Sequence, residues 1–208
     1  GCPWVGRPYP DQLATKHARV VAGLAATLPD LPPSVVAPVV PAVAVRGYRV
    51  QTKLMVGTTR RGAVLGLYAP GSHRIVDASG CPLHDPLLQQ AIPALRDALQ
   101  RDDVPLHASG RPGVRYALVR ASVADARVLV TLVSSLVPLP NVERLARHLR
   151  LALPLAGLLV NENATTGNVI LGPRTARIWG EAVLRERYGD VTITAGPTAF
   201  VQANTRMA

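Results

Sequence analysis

The sequence predicts an α+β fold, in which helices cover an antiparallel sheet built from hairpins and a meander. Short segments of β character recur in pairs separated by glycine- and proline-containing turns, and two or three helical patterns lie between these pairs. No regular alternation of strand and helix requires a parallel sheet. The chain has 208 residues, of which 48% are hydrophobic, so it is long enough to bury a substantial core.

The first predicted element is a helix that begins at Pro10 and Asp11 and ends before Pro29. Its apolar residues recur at helical spacing and form one stripe: Leu13, Val20, Val21, Leu24 and Leu28. Residues 29–46 contain several prolines, which exclude a central strand, so we expect an extended connector there.

A three-stranded meander is predicted next. Residues 49–56 and 63–68 form a hairpin whose loop carries two arginines, and residues 74–77 form a short third strand. Asp85 and Pro86 then start a second helix with a buried leucine-rich stripe. Pro93 lies inside this helix and is expected to kink or split it.

The remaining elements repeat this arrangement. Residues 114–122 and 128–135 form a second hairpin, and Pro140 and Asn141 precede a third helix. Strands are predicted at 158–161 and 169–172, followed by strand, turn and strand over 177–186 and a further strand at 191–194 after the turn at Gly189 and Asp190.

The amino-acid composition indicates which kinds of molecule the protein could bind. The net charge is +10, and all but two of the 23 basic residues are arginines, the side chain best suited to phosphates and bases. RNA or DNA is therefore a plausible partner; the alternative is codon bias in a GC-rich genome. No apolar run is long enough to cross a membrane. The two cysteines, Cys2 and Cys81, are too few for a disulfide scaffold and could be ligands, free thiols or one disulfide.

Six short motifs occur in an order that is more specific than any one of them. The motifs are Gly1-Cys2-Pro3-Trp4, Tyr9 with Gln12, Leu13 and Lys16, Gly47-Tyr48-Arg49, Gly71-Ser72-His73-Arg74-Ile75-Val76-Asp77, Cys81-Pro82-Leu83 and Phe200-Val201-Gln202-Ala203-Asn204. Together they resemble the S-adenosylmethionine-dependent RNA uracil-5-methyltransferases, which make 5-methyluridine in ribosomal and transfer RNA, and the 23S ribosomal type in particular.

The resemblance implies a division of the chain. Residues 1–28 would form an iron–sulfur turn and a helix, 29–46 the connector, 47–195 a central RNA-binding α+β domain, and 196–208 the incomplete start of a methyltransferase domain. The Rossmann-like remainder of that domain would be truncated away, and the chain would be a fragment of a longer protein. Cys2 and Cys81 would be two of the four thiolate ligands of a 4Fe-4S cluster.

The resemblance also implies roles for single residues. Gln202 would contact S-adenosylmethionine, and Phe200 would lie beside the donor and the target base. The cysteine nucleophile and the general base would lie beyond residue 208, so the fragment alone would be inactive. The expected RNA contacts are Arg49, Lys53, Arg60, Arg61, His73 and Arg74.

The implied protein is a cytoplasmic, monomeric enzyme without a membrane partner, and ribosomal RNA is favoured over transfer RNA as its substrate. Two alternatives remain open at this point: a stand-alone basic RNA-binding module without catalysis, and an unrelated basic α+β domain. For each basic residue, a solvated surface charge is the competing interpretation.

Overall fold

The computed structural model describes residue 4 and residues 6–108, 110–165, 167 and 169–208. The chain divides into two compact units, 1–45 and 46–208. The first unit contains helix α1 (Tyr9–Thr27) and a 3-10 turn at Pro33–Val35. The Ala42 amide donates to the Tyr9 hydroxyl at 2.7 Å, which ties the connector to the helix. None of the residues of α1, all of which the structure describes, is buried.

The second unit is built on a seven-stranded sheet. Its strands are β1 (Gln51–Thr59), β2 (Gly62–Tyr68), β3 (Ile75–Asp77), β4 (Val114–Ser122), β5 (Arg127–Ser134), β6 (Leu155–Glu162) and β7 (Arg174–Gly180), in the spatial order β3-β2-β1-β4-β5-β6-β7. Helices α2 (Pro86–Arg101) and α3 (Val142–Ala152) pack on one face of this sheet. A separate hairpin is formed by β8 (Leu184–Tyr188) and β9 (Val191–Ala195).

The core lies between the sheet and the two helices. Alternate residues of the strands point towards α2 and α3, and this layer includes fully buried leucines such as Leu54, Leu65, Leu95, Leu132 and Leu145. Each buried leucine contributes roughly 1.5–3 kcal/mol relative to an exposed one. The opposite face holds a smaller cluster of Leu129, Ala156, Leu159 and Leu184, so β8 packs on the face that the helices leave open.

The predicted fold class, an antiparallel sheet, is wrong. Strands β5 and β6 run parallel, with Val130 beside Leu158 and Leu132 beside Val160, while the neighbouring strand pairs are antiparallel. Helix α3 supplies the crossover that parallel neighbours require. The sheet is therefore mixed.

The predicted strand at 169–172 is also absent from the part of the chain that the structure describes. Asn163 donates to the carbonyls of Val169 and Ile170, at 2.7 and 2.8 Å, and Asn161 binds both backbone groups of Gly172. Side-chain amides thus take the hydrogen bonds that a strand would need. The edge strand begins later, at Arg174.

Most other predicted elements occur within a few residues of their expected bounds. Helix α2 remains one helix despite Pro93, and the Asp85 carboxylate accepts a hydrogen bond from Leu87 N at 2.9 Å as its N-cap. Among the residues that the structure describes, no helix is both long and apolar enough to cross a bilayer.

Candidate functional site

Three of the sequence motifs meet at the beginning of β1. The amides of Gly47 and Arg49 donate to the carbonyls of Pro82 and Leu83, at 3.0 and 2.8 Å. The next amide along, that of Val50, donates to the carbonyl of Ala203 at 2.8 Å. Two segments, which lie 35 and 153 residues further along the chain, therefore share one backbone network centred on residues 47–50.

A second set of bonds holds the 196–204 segment. Arg120, on β4, donates from Nη1 to the Gly196 carbonyl at 2.7 Å and from Nη2 to the Ala199 carbonyl at 2.9 Å. Its Nη2 also lies 3.2 Å from Oε1 of Gln51, and the Gln51 amide donates to the carbonyl of Val201. Burial lowers the pKa of Arg120, and the nearby Tyr188 acts in the opposite direction.

This network fixes the backbone of the 196–204 segment but leaves two side chains free. Val201 is 5% exposed and anchors the segment, whereas Phe200 is 83% exposed and Gln202 is also exposed. An aromatic ring and an amide are therefore presented outward from an anchored backbone.

The predicted basic residues do not form one cluster. Arg49 and Lys53 lie near the start of β1, and the strand register brings the turn that carries His73 and Arg74 to the same end. The His73 ring lies edge-on to Tyr68, with centroids 5.4 Å apart.

Arg60 and Arg61 lie at the other end of the hairpin. They follow β1, which extends about 26 Å from Gln51 to Thr59 at a rise of about 3.3 Å per residue. All six predicted residues are exposed. Four of them thus surround the meeting point of the motifs, and two lie at the far hairpin tip.

The predicted iron–sulfur site is not supported by the residues that the structure describes. Cys81 is partly exposed in the turn that contacts Gly47, and Cys2 lies outside the described residues. Across the described ranges, no group of three or more His, Cys, Asp or Glu side chains could hold a metal ion. A cluster takes four ligands, so one thiolate does not fit it.

The neighbouring His84 is buried, and one of its ring nitrogens has no hydrogen-bond partner among the described residues. It is 3% exposed, and its Nδ1 makes no hydrogen bond. Burial, and secondly the charge of Arg49, lowers the pKa of His84.

Sequence reasoning missed Arg120. The signal was present, because an arginine between Val119 and Ala121 stands in an otherwise apolar run of a central strand. Such a residue needs a polar partner, but the sequence does not say that the partner is a segment almost 80 residues away.

Comparisons with known proteins point to one class of enzyme. No protein-family model matches the chain. An uncharacterized RNA methyltransferase of Geobacter sulfurreducens is 30% identical over 208 residues, which is 99% of this chain and 42% of the relative. Another, from Thermosynechococcus vestitus, is 31% identical over 210 residues, or 100% of this chain and 46% of the relative. The chain is thus similar to RNA methyltransferases throughout, and it spans less than half of their length.

The fold is also found in a solved structure. The Pyrococcus abyssi tRNA (uracil-54, C5)-methyltransferase, in complex with S-adenosyl-L-homocysteine, aligns with a TM-score of 0.73 and 22% identity, covering 96% of this chain and 45% of that one. Because a methyltransferase structure matches nearly the whole chain, the prediction of a fold from which the methyltransferase part is truncated is wrong.

Proposed function

We propose that this chain is part of an S-adenosylmethionine-dependent RNA methyltransferase that methylates C5 of a uridine, with ribosomal RNA as the favoured substrate. The observation that carries the proposal is the meeting of three motif segments at residues 47–50, with Phe200 and Gln202 presented outward beside them. The similarity to RNA methyltransferases along the whole chain supports it.

Within this proposal, the two exposed side chains serve the methyl donor and the base. The Gln202 amide can both donate and accept hydrogen bonds, so it suits the polar groups of S-adenosylmethionine. The Phe200 ring offers an apolar face for a flipped uracil to stack on. S-adenosylmethionine supplies the methyl group that is transferred.

The basic residues near the start of β1 would dock the RNA. Arg49, Lys53, His73 and Arg74 are exposed at the same end of the meander as the 196–204 segment. Cationic side chains there neutralise phosphates and set the orientation of the RNA, without reading its sequence. They would bring the target nucleotide to Phe200.

The reaction needs groups that we assign to the part of the relatives that this chain does not span. Uracil C5 is a weak nucleophile, so a cysteine thiolate would add to C6, and C5 of the resulting enolate would take the methyl group and release S-adenosylhomocysteine. A base would then remove the C5 proton while the thiolate is eliminated from C6. Cys81 is assigned neither role. The iron–sulfur cluster stays a prediction.

The test is a methylation assay on the protein that carries this chain. Ribosomal and transfer RNA from a strain lacking the gene are incubated with methyl-labelled S-adenosylmethionine, then digested to nucleosides. We expect labelled 5-methyluridine in one of the two RNAs, with greater incorporation in ribosomal RNA.

The matched variants are Gln202→Ala and Gln90→Ala, since Gln90 is an exposed glutamine on α2, outside the 196–204 segment. Gln202→Ala should raise the KM for the donor at least tenfold, and Gln90→Ala should leave it unchanged. RNA binding without any 5-methyluridine would contradict the proposal and favour a stand-alone RNA-binding module.

A further inference from the structure

We infer that Arg120 is a positioning residue for the methyl donor: it fixes the loop from which Phe200 and Gln202 project. This inference rests on the proposed function for the identity of the ligand. The contacts that support it belong to this chain alone. Arg120 does not face the ligand itself, because its guanidinium nitrogens are directed at backbone carbonyls.

The two carbonyls that Arg120 binds enclose the turn before Phe200. Gly196 and Ala199 lie four residues and one residue before Phe200, and the 2.7 and 2.9 Å bonds reach both from one side chain. The turn is itself closed by a bond from Ala199 N to the Gly196 carbonyl at 3.3 Å. One guanidinium therefore holds both ends of a short loop whose next residue is 83% exposed.

Gln51 extends this support to the following residues. Its Oε1 accepts from Arg120 at 3.2 Å, while its amide donates to the Val201 carbonyl. Val50 then donates to Ala203. The carbonyls on either side of Gln202 are thus both bound to the start of β1, so the Gln202 side chain leaves the backbone from a fixed point.

Arginine is the side chain that this arrangement requires. Its planar fork carries five donors in fixed directions, so it can bind two carbonyls and an amide oxygen together. A lysine ammonium is a point charge on a flexible stem and would satisfy these acceptors less completely. Arg120 is partly buried, so water competes less for its acceptors than it would at an open surface.

A merely structural role would have different consequences. If Arg120 only stabilised β4, its replacement would lower the melting temperature and weaken RNA and donor binding alike. If it positions the 196–204 segment, the loss should fall mainly on the donor. RNA affinity should stay near that of the unchanged protein, because phosphate contacts from the basic residues near the start of β1 supply most of it and the stacking of one base on Phe200 supplies little. Comparing the change in donor affinity with the change in RNA affinity therefore distinguishes a structural role of Arg120 from a positioning role.

The experiment compares Arg120→Ala, Arg120→Lys and Arg127→Ala in the protein that carries this chain. Arg127 is the matched control, since it lies on the neighbouring strand and pairs with Glu181, a half-exposed partner at 2.5 Å. S-adenosylhomocysteine affinity is measured by calorimetry, RNA affinity by filter binding, and KM and kcat by methylation. Hydrogen exchange is followed in the peptide that spans residues 196–208.

We expect Arg120→Ala to weaken S-adenosylhomocysteine binding about tenfold or more, since bonds from a charged donor are among the strongest. The KM for S-adenosylmethionine should rise in parallel, and Arg120→Lys should recover part of the loss. RNA affinity should change less than twofold, exchange in residues 196–208 should accelerate, and Arg127→Ala should match the unchanged protein.

Unaltered S-adenosylhomocysteine affinity in folded Arg120→Ala would overturn the inference, as would equal losses of RNA and donor binding. If Arg120→Ala does not fold, Gln51→Ala takes its place, with the same expected pattern. Failure of the unchanged protein to bind S-adenosylhomocysteine would instead count against the proposed function. Hydrogen exchange in residues 196–208 would still test whether Arg120 holds this segment. An unchanged exchange rate in Arg120→Ala would refute that role.

Discussion

Replacing Asn161 by alanine should destabilise the second unit strongly. Asn161 is fully buried on β6, and its amide nitrogen lies 2.9 Å from the Gly172 carbonyl, 3.0 Å from the Arg174 carbonyl and 2.8 Å from the Thr175 hydroxyl. Its oxygen accepts from Gly172 N at 2.7 Å. One side chain therefore satisfies three backbone groups at the entrance to β7.

The magnitude follows from those three groups. An unsatisfied buried backbone group costs at least about 1 kcal/mol, so Asn161→Ala should lower the free energy of unfolding by about 3 kcal/mol. Water cannot easily replace the amide, because Gly172 is packed so closely on β6 that a Cβ there would lie 1.8 Å from the Glu162 carbonyl oxygen. For a chain of this size the melting temperature should fall by roughly 6–12 °C.

Urea unfolding followed by circular dichroism measures this loss. Thr175→Val is the control, since it removes one exposed partner of Asn161 and should cost less than about 1 kcal/mol. A loss below 1 kcal/mol for Asn161→Ala, or equal losses for the two variants, would refute the view that the amide organises the entrance to β7.

Two further predictions concern protons and salt. Because burial lowers the pKa of His84, the unfolded chain takes up its proton more readily, so the free energy of unfolding should fall as the pH falls below about 6.5. His84→Gln should flatten that part of the stability profile measured by urea titration at several pH values; an identical slope would contradict the assignment. Replacing Lys53 and Arg74 together by glutamine should reduce the slope of log K for RNA against log salt by about 1.5. The same change at Arg60 and Arg61, at the far end of the hairpin, should reduce it less, and an equal effect of both pairs would show that RNA covers the whole meander.

The fold was predictable where local chemistry decides it. The Asp85-Pro86 start of α2 and the hairpin of β4 and β5 follow from caps, turns and alternation, and both occur close to the expected residues. The parallel pairing of β5 and β6 was not predictable in this way. An apolar strand such as β6 carries no mark of its partner's direction, and the crossover through α3 became visible only when both strands were placed in the sheet.

The candidate site likewise has one part that the sequence predicts and another part that only the folded structure shows. Phe200 and Gln202 were singled out by a motif, and their exposure agrees with a ligand-facing role, but what holds them is invisible to the motif. The Arg120 guanidinium binds the carbonyls of Gly196 and Ala199, which are 76 and 79 residues away in sequence. The Gln51 amide binds the carbonyl of Val201, which is 150 residues away. Long-range bonds of this kind arise because a partly buried charge in β4 needs acceptors, and the 196–204 segment and Gln51 bring oxygens to it. The need for a partner could be inferred from the arginine in an apolar strand. The partner's identity depends on where the sheet ends and which segment crosses it, and for that reason Arg120, rather than the motif residues, is the more informative position to mutate.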